Sequence, residues 1–235
     1  MKTAKQEYLD NEADAWFERN LSALEKRKVS IGTTFFEDFY KRFNENNSTV
    51  QGGVLEIGSS FGYNLAWLSE HFPNINYSAI EPSRKAIAYG SEKYAELIKK
   101  GKLTFTRGTA DNLPFSDESF DCILIGFCMY QADRNLLGKI ASEIDRCLRY
   151  GGFLVITDFD VFFNEKRTNI HNSLTPTYKA NYAKLFEGIY GYTLVEKTTY
   201  NADSTELRSF PTEVSNRVST QILYKEFEKD VYLSK

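Results

Sequence analysis

Short apolar runs alternate with stretches in which apolar residues recur every three or four positions, and this alternation holds through most of the chain. The runs are rich in β-branched residues and read as buried strands; the 3.6-residue period reads as helices laid over them. Strands are expected at residues 54–58, 75–80, 102–107, 120–126 and 153–159, with helices at about 62–71, 83–99 and 134–149. Tyr150, Gly151 and Gly152 look like a glycine cap closing the third helix. Strand, helix and strand in this order build right-handed βαβ units. The fold class expected is therefore α/β, built on a mostly parallel sheet.

Beyond the fifth strand the period loosens. Residues 158–175 read as a loop or lid and 176–190 as a helix, while 191–200 and 217–225 read as a closing pair of strands joined by a polar connector containing Pro211. Residues 1–45 are amphipathic, with Trp16, Phe17, Leu21 and Leu24 at helix-compatible spacing, and predict a helical cap over the sheet or over a cleft. No repeat divides the 235 residues, so one domain is expected. It comprises the cap at 1–45, a core at 50–160, and an acceptor-side loop with the closing strands at 161–235.

Composition narrows the function. Lys and Arg total 29 against 32 Asp and Glu, a net charge of −3, which offers no basic excess for a nucleic-acid backbone. Cys122, Cys128 and Cys147 contain no C-x-x-C pair, and His71 and His171 are scattered, so no metal site is expected. Odd, apolar-flanked thiols suit a reducing compartment, and the expected location is the cytoplasm. The first residues show no signal-like apolar core, and the longest apolar run, around 123–130, is too short to span a bilayer, so neither export nor membrane insertion is expected. Oligomeric state is not legible.

The segment VLEIGSSFGYNL carries the chemistry: an apolar strand containing Glu56, then Gly58, Ser59, Ser60, Phe61 and Gly62, then a helix. Small residues let such a turn bend sharply and approach a nucleotide. A dinucleotide fingerprint would need glycine at Ser60 and Tyr63, and a P-loop would need a Gly-Lys-Ser/Thr end; neither is present.

The segment resembles the first motif, E/D-x-G-x-G-x-G, of the class I S-adenosylmethionine-dependent methyltransferases, through Glu56, Gly58 and Gly62, with Ser60 in place of the middle glycine. Three further segments are similar to that family in order and spacing. Glu81 in AIEPS follows Gly62 by 19 residues, where the resemblance implies an acid on the ribose hydroxyls. GTADNLPFSDESFDCILIGFCMY resembles the family's G-D-A-E-x-L-P-F segment, with Thr109 at the place of the adenine-contacting acid, Ala110 matching, and Asp111 for the Glu. EIDRCLRYGGFLVITDFD resembles its E-x-x-R helix, glycine turn and fifth strand. The resemblance implies a Rossmann-like doubly wound, mostly parallel seven-stranded sheet with an antiparallel last strand and helices on both faces, S-adenosylmethionine as cofactor and S-adenosylhomocysteine as product. It implies a cofactor site of Glu56, Gly58, Ser59, Ser60, Gly62, Asn64, Glu81, Pro82, Thr109, Ala110, Asp111, Gly126 and Phe127.

Methyl transfer from a sulfonium needs alignment of the acceptor and exclusion of water. A base helps where the acceptor is a hydroxyl. His171 is the first candidate base, because imidazole titrates near neutrality; Asp158, at the end of the fifth strand, and Tyr178 complete the candidate catalytic set. Asp160, Tyr130 and Tyr182 are further candidates on the acceptor side, and Trp16, Phe17 and Arg19 for a lid. His71 reads as a structural residue at a helix end. The expected reaction is methylation of a small polar acceptor, most readily at oxygen of a sugar, a nucleotide-activated compound or another surface-polysaccharide precursor. Two alternatives stand beside it: a non-catalytic cofactor-binding subunit with this fold, and a nucleotide-dependent oxidoreductase.

Overall fold

Alternate residues of each central strand enter different cores. Leu55, Ile57, Ile123, Ile125, Leu154 and Ile156 pack on one side of the sheet, and Val54, Cys122, Leu124, Phe153 and Val155 on the other. With a side-chain period of two, strands apolar on both faces must be covered twice. The structure is a computed structural model that describes residues 3–46, 53–188, 191–202 and 214–227.

The chain begins with α1 (Ala4–Glu7), one π-helical turn (Tyr8–Glu12) and α2 (Ala13–Glu25), followed by α3 (Ile31–Asn46). β1 (Gly53–Ile57), α4 (Tyr63–His71), β2 (Asn76–Glu81), α5 (Arg84–Lys93), α6 (Ala95–Lys99) and β3 (Leu103–Arg107) build the first half. β4 (Phe120–Gly126), α7 (Leu137–Cys147) and β5 (Leu148–Phe159) build the second. A small hairpin, β6 (Glu165–Arg167) and β7 (Thr177–Lys179), precedes α8 (Lys184–Glu187), β8 (Tyr192–Asn201) and β9 (Arg217–Lys225).

The main sheet has seven strands in the order β3-β2-β1-β4-β5-β9-β8. β1 to β5 pair in parallel, whereas β9 runs antiparallel to both β5 and β8. α7 packs Leu137, Ile140 and Ile144 into one core, and α3 and α4 pack Phe36, Tyr40, Leu65 and Leu68 into the other. Strand order reverses between β1 and β4, and in such sheets the crevice beyond the strands' carboxyl ends at that point collects ligands.

Four sequence expectations are corrected. Residues 176–190 do not form one helix: Thr177–Lys179 pairs with Glu165–Arg167 as β7, and only Lys184–Glu187 is helical, residues 189–190 lying outside the described ones. Pairing with a distant strand overrides local helix propensity there. The same hairpin puts a short strand inside the expected 158–175 loop. Nor does α7 end in a glycine cap; it stops at Cys147, Leu148 pairs at once with Phe120, and Tyr150–Gly152 fall within β5. The expected 83–99 helix is interrupted at Tyr94, whose φ of −112° ends α5. Pro211 lies outside the described residues.

Candidate active site

Glu56 and Glu81 stand near the carboxyl ends of neighbouring parallel strands, both buried. The turn after β1 fixes their geometry. Gly58 (φ +71°) and Ser60 (φ +50°) take left-handed backbone, and the Ser60 N–H donates to Glu81 Oε2 at 2.8 Å. The Ser83 N–H donates to Oε1 of the same carboxylate at 2.9 Å, so both oxygens are oriented by backbone while keeping lone pairs open. At Gly58 a Cβ would meet the Cys128 Cβ at 2.8 Å; glycine is needed there for space as well as for its dihedral. The Gly58 and Ser59 N–H groups are spent on the Ile80 carbonyl, so this turn presents carboxylate and hydroxyl oxygens more than free donors.

Asn64 Nδ2 donates to Glu56 Oε1 at 2.7 Å and its Oδ1 accepts the Ser30 N–H at 2.8 Å, while Glu56 Oε2 is buried with no partner. Burial, opposed by the Asn64 bond and reinforced by Glu81, raises Glu56 to about 8; burial likewise raises Glu81 to about 7. The Ser59 and Ser60 hydroxyls are also buried without partners. A cluster of buried acceptors and hydroxyls left open in this way is where a ligand supplies the missing hydrogen bonds.

These groups face a cavity of about 830 Å³. Of the sequence-predicted cofactor residues, Glu56, Gly58, Ser59, Ser60, Asn64, Glu81, Pro82, Thr109, Ala110, Asp111, Gly126 and Phe127 all line it. Gly62 does not; it sits behind the turn at φ +79° as the residue before α4. Of the catalytic candidates only Tyr178 reaches the wall. His171 is an exposed loop residue whose N–H donates to Asn169 Oδ1, and it is not part of the lining. Asp158 is buried beneath the 129–131 turn, accepting the Phe159 N–H at 2.8 Å and raised to about 7 by burial, also off the wall. Asp160 is held by Lys197 and Arg217, and Tyr182 donates to the Tyr178 carbonyl; neither opens on the cavity. His71 stacks on Trp67 and bonds its carbonyl, the structural place its position suggested.

The roof comes from α1, the π-turn and α2, which contribute Lys5, Tyr8, Trp16 and Phe17. Arg19, a lid candidate, instead pairs with Glu12. Lys5 Nζ lies 2.6 Å from Asp111 Oδ2; although burial pushes Asp111 up, its bonds from Lys5 and Thr109 hold it below the usual carboxylate range. Tyr8 and Lys5 were missed in the sequence because they lie in a polar stretch. A π-helical turn, which has no strong sequence signature, rotates Tyr8 inward, where burial and Glu81 push its hydroxyl well up. Tyr130, Tyr178, Tyr200 and Phe127 add aromatic side chains to the lining.

A family profile described as a methyltransferase domain matches residues 54–152, the segment carrying β1 to the start of β5. The chain is 32% identical over 108 residues to phthiotriol/phenolphthiotriol dimycocerosates methyltransferase 1 of Mycobacterium ulcerans, covering 45% of this chain and 36% of that one. It is 28% identical over 138 residues to the ubiquinone/menaquinone biosynthesis C-methyltransferase of Pasteurella multocida, covering 57% and 50% respectively. The chain thus spans half or less of the length of these curated relatives. Its fold matches a SAM-dependent methyltransferase structure from Methanosarcina mazei with a TM-score of 0.60 at 16% identity, covering 79% of this chain and 98% of that one. It also matches a geranyl diphosphate methyltransferase solved with GPP and sinefungin, with a TM-score of 0.56 at 11% identity over 77% and 74% of the chains. The matched segment is the one that builds the floor of the cavity: residues 54–152 are similar to a methyltransferase domain, and the sheet around them has the fold of S-adenosylmethionine-dependent methyltransferases.

Proposed function

We propose that this protein transfers a methyl group from S-adenosylmethionine to a small-molecule acceptor held in the same cavity. The observation that carries the reading is one cavity lined by two chemically different sets of residues: oriented carboxylates at the glycine turn, and a group of aromatic side chains. At about 830 Å³ it lies toward the upper end of the roughly 300–1,000 Å³ typical of small-molecule sites, room for two ligands in contact.

The residues fit the cofactor. Glu81, with each oxygen fixed by one N–H, keeps acceptor capacity for the two ribose hydroxyls, and the unpartnered Glu56 Oε2 suits an ammonium group. Thr109, Ala110 and Pro82 border the space for the base, next to the Lys5–Asp111 pair. When bound, the cofactor supplies a methyl group on a sulfonium. Tyr130, Trp16 and Phe127 offer aromatic faces that attract such a cation, and the cap helices exclude water from it. Asp158 could take a proton only through the 129–131 turn that covers it, and His171 only after a loop movement. An acceptor already nucleophilic at oxygen or at an electron-rich carbon therefore suits the wall better than one needing a strong base.

For the acceptor, an O-methylated sugar or other surface-polysaccharide precursor has the Asn20, Gln131, Asn135 and Asn201 amides in its favour. A ring-bearing or apolar acceptor has the larger share of the wall, in Trp16, Phe127, Tyr130, Tyr178 and Tyr200, and two similar proteins are named for ubiquinone/menaquinone and phthiotriol dimycocerosates chemistry. The second reading is the better supported. The test is S-adenosylhomocysteine formation from S-adenosylmethionine with a panel of phenols and quinols and a panel of nucleotide-sugars. Turnover with the first panel alone supports the apolar acceptor, and turnover with the second alone restores the sugar. Tight binding of S-adenosylhomocysteine with no turnover on any acceptor favours the non-catalytic subunit, and no binding overturns the reading altogether.

A further inference from the structure

The exposed apolar surface of the described residues is concentrated on one segment. Phe162, Phe163, Ile170 and Leu174 are 66%, 86%, 90% and 59% exposed, the four highest values among the exposed large hydrophobic residues. Phe162 and Phe163 precede β6, and Ile170 and Leu174 lie in the loop joining β6 to β7; isolated apolar side chains on a surface need no explanation, whereas four in one short segment do. Along this stretch of sequence cations outnumber carboxylates. Between Asp160 and Glu187 the only carboxylate is Glu165, against Lys166, Arg167, Lys179 and Lys184, although the whole chain carries −3. Lys179 is buried over the Phe159 ring, but Lys166, Arg167 and Lys184 are exposed, and Glu165 is already engaged by Arg167. Arg217 lies over the Phe162 ring at 4.0 Å, adding a cation at the root of the patch.

Apolar side chains projecting beside cations that outnumber the carboxylates of the same segment form the pattern that partitions into an anionic lipid interface, the hydrocarbon groups entering the acyl boundary and the cations meeting phosphates. No helix among the described residues is long and apolar enough to cross a membrane, so the contact would be peripheral. The same segment supplies Thr175, Pro176 and Tyr178 to the cavity wall, and Asn169 and Asn172 bond Glu12 and Glu7 of the roof. The patch is thus continuous with both the acceptor half of the cavity and its cover.

We propose that residues 162–174 are a peripheral docking surface for an anionic phospholipid bilayer, seated beside the acceptor end of the cavity. Docking stands apart from catalysis; that an acceptor enters from the bilayer rests on the methyl-transfer reading. The experiment is co-sedimentation of the full chain with vesicles of phosphatidylcholine alone and of equal parts phosphatidylcholine and phosphatidylglycerol. The variants are the Phe163→Ser/Ile170→Ser pair and Lys166→Glu, with the melting shift on S-adenosylhomocysteine as a control for fold and cofactor site. Expected is binding to the mixed vesicles that weakens in high salt, a drop of roughly tenfold or more in the double variant, and a smaller drop in Lys166→Glu, with the melting shift unchanged. Wild type left in the supernatant with both vesicle types overturns the proposal, as does a double variant that pellets like wild type. A patch that instead drives self-association, seen as a dimer by sedimentation velocity that the double variant abolishes while no vesicles bind, also overturns it.

Discussion

At the scale of single residues the cofactor site turns on how Glu81 is held. Its carboxylate accepts Ser60 and Ser83 N–H groups at 2.8 and 2.9 Å, so truncation removes the ligand's acceptor and also frees the turn. Glu81→Ala is expected to weaken S-adenosylhomocysteine binding by roughly a hundredfold or more, and Glu81→Gln, which keeps the shape and one carbonyl acceptor, by roughly tenfold, both read by titration calorimetry. Ser60 is the residue at which this sequence departs from the motif it resembles. Its φ of +50° is the conformation glycine adopts freely, and its hydroxyl is buried without a partner. Ser60→Gly is therefore expected to melt within about 1 kcal/mol of wild type, relief of left-handed strain offsetting lost chain entropy, and to bind cofactor less tightly if the hydroxyl faces it. Ser60→Val, with a β-branched side chain forced to the same φ, is expected to cost more than that by thermal denaturation.

Between elements, close approach and long-range ties decide the site's shape. At Gly90 in α5 an added Cβ would stand 2.5 Å from the Phe61 carbonyl oxygen and 2.7 Å from the Phe105 ring, so this helix lies directly on the glycine turn. Gly90→Ala is expected to destabilise by about 1–3 kcal/mol despite alanine's better helix propensity, checked by urea denaturation. The roof is tied down by Asp14, which accepts the Ser83 hydroxyl at 2.6 Å and the Lys85 N–H at 3.1 Å, while Ser83 caps α5 through the Ala86 N–H. Asp14→Ala is expected to cost on the order of 1 kcal/mol and to speed amide exchange in α2 selectively. What the sequence made legible follows from the same distinction. The central strands β1, β4 and β5 were readable because both faces are apolar, and the four resembling segments because each is local. Two of those segments are clamped together by Arg146, which donates to the Leu113 and Phe115 carbonyls and to Glu143, while Glu143 accepts the Leu113 N–H. The misread parts depend on distant partners: the β7 pairing inside an expected helix, the Leu148 pairing that removes the glycine cap, and Tyr8, turned inward by a π-turn. His171 failed to reach the cavity for a related reason, since nothing local fixes where a loop side chain points.

For the molecule as a whole, the buried carboxylates make stability depend on pH in a way a ligand can invert. Glu56, Glu81 and Asp158 are raised by burial to about 8, 7 and 7 from ordinary values of 4.5, 4.5 and 3.8. In the unfolded chain they release their protons near those ordinary values, so between about pH 4.5 and 8 the folded, unliganded protein binds more protons than the unfolded one, and its stability falls as pH rises. Asp14, Asp111, Glu37 and Glu143 run the other way: bonds from Ser83, Lys5, Lys41 and Arg146 hold them low, so what they contribute is present above the ordinary carboxylate range and lost as pH falls through their folded values. The melting temperature of the free protein is therefore expected to peak near pH 5 and to decline toward pH 8–9. Glu56→Gln removes the group with the largest rise and should flatten that decline, by on the order of a few kcal/mol at pH 8. An ammonium beside Glu56 favours the ionised carboxylate, so S-adenosylhomocysteine should bind wild type more tightly as pH rises from 6 toward 8, a trend reduced in Glu56→Gln to what Glu81, raised to about 7, still contributes. Melting curves and calorimetric titrations of the two proteins across this range check both halves together. An affinity that does not change with pH in wild type would mean that the unpartnered Glu56 oxygen does not meet the cofactor's charge, whatever the stability curve shows.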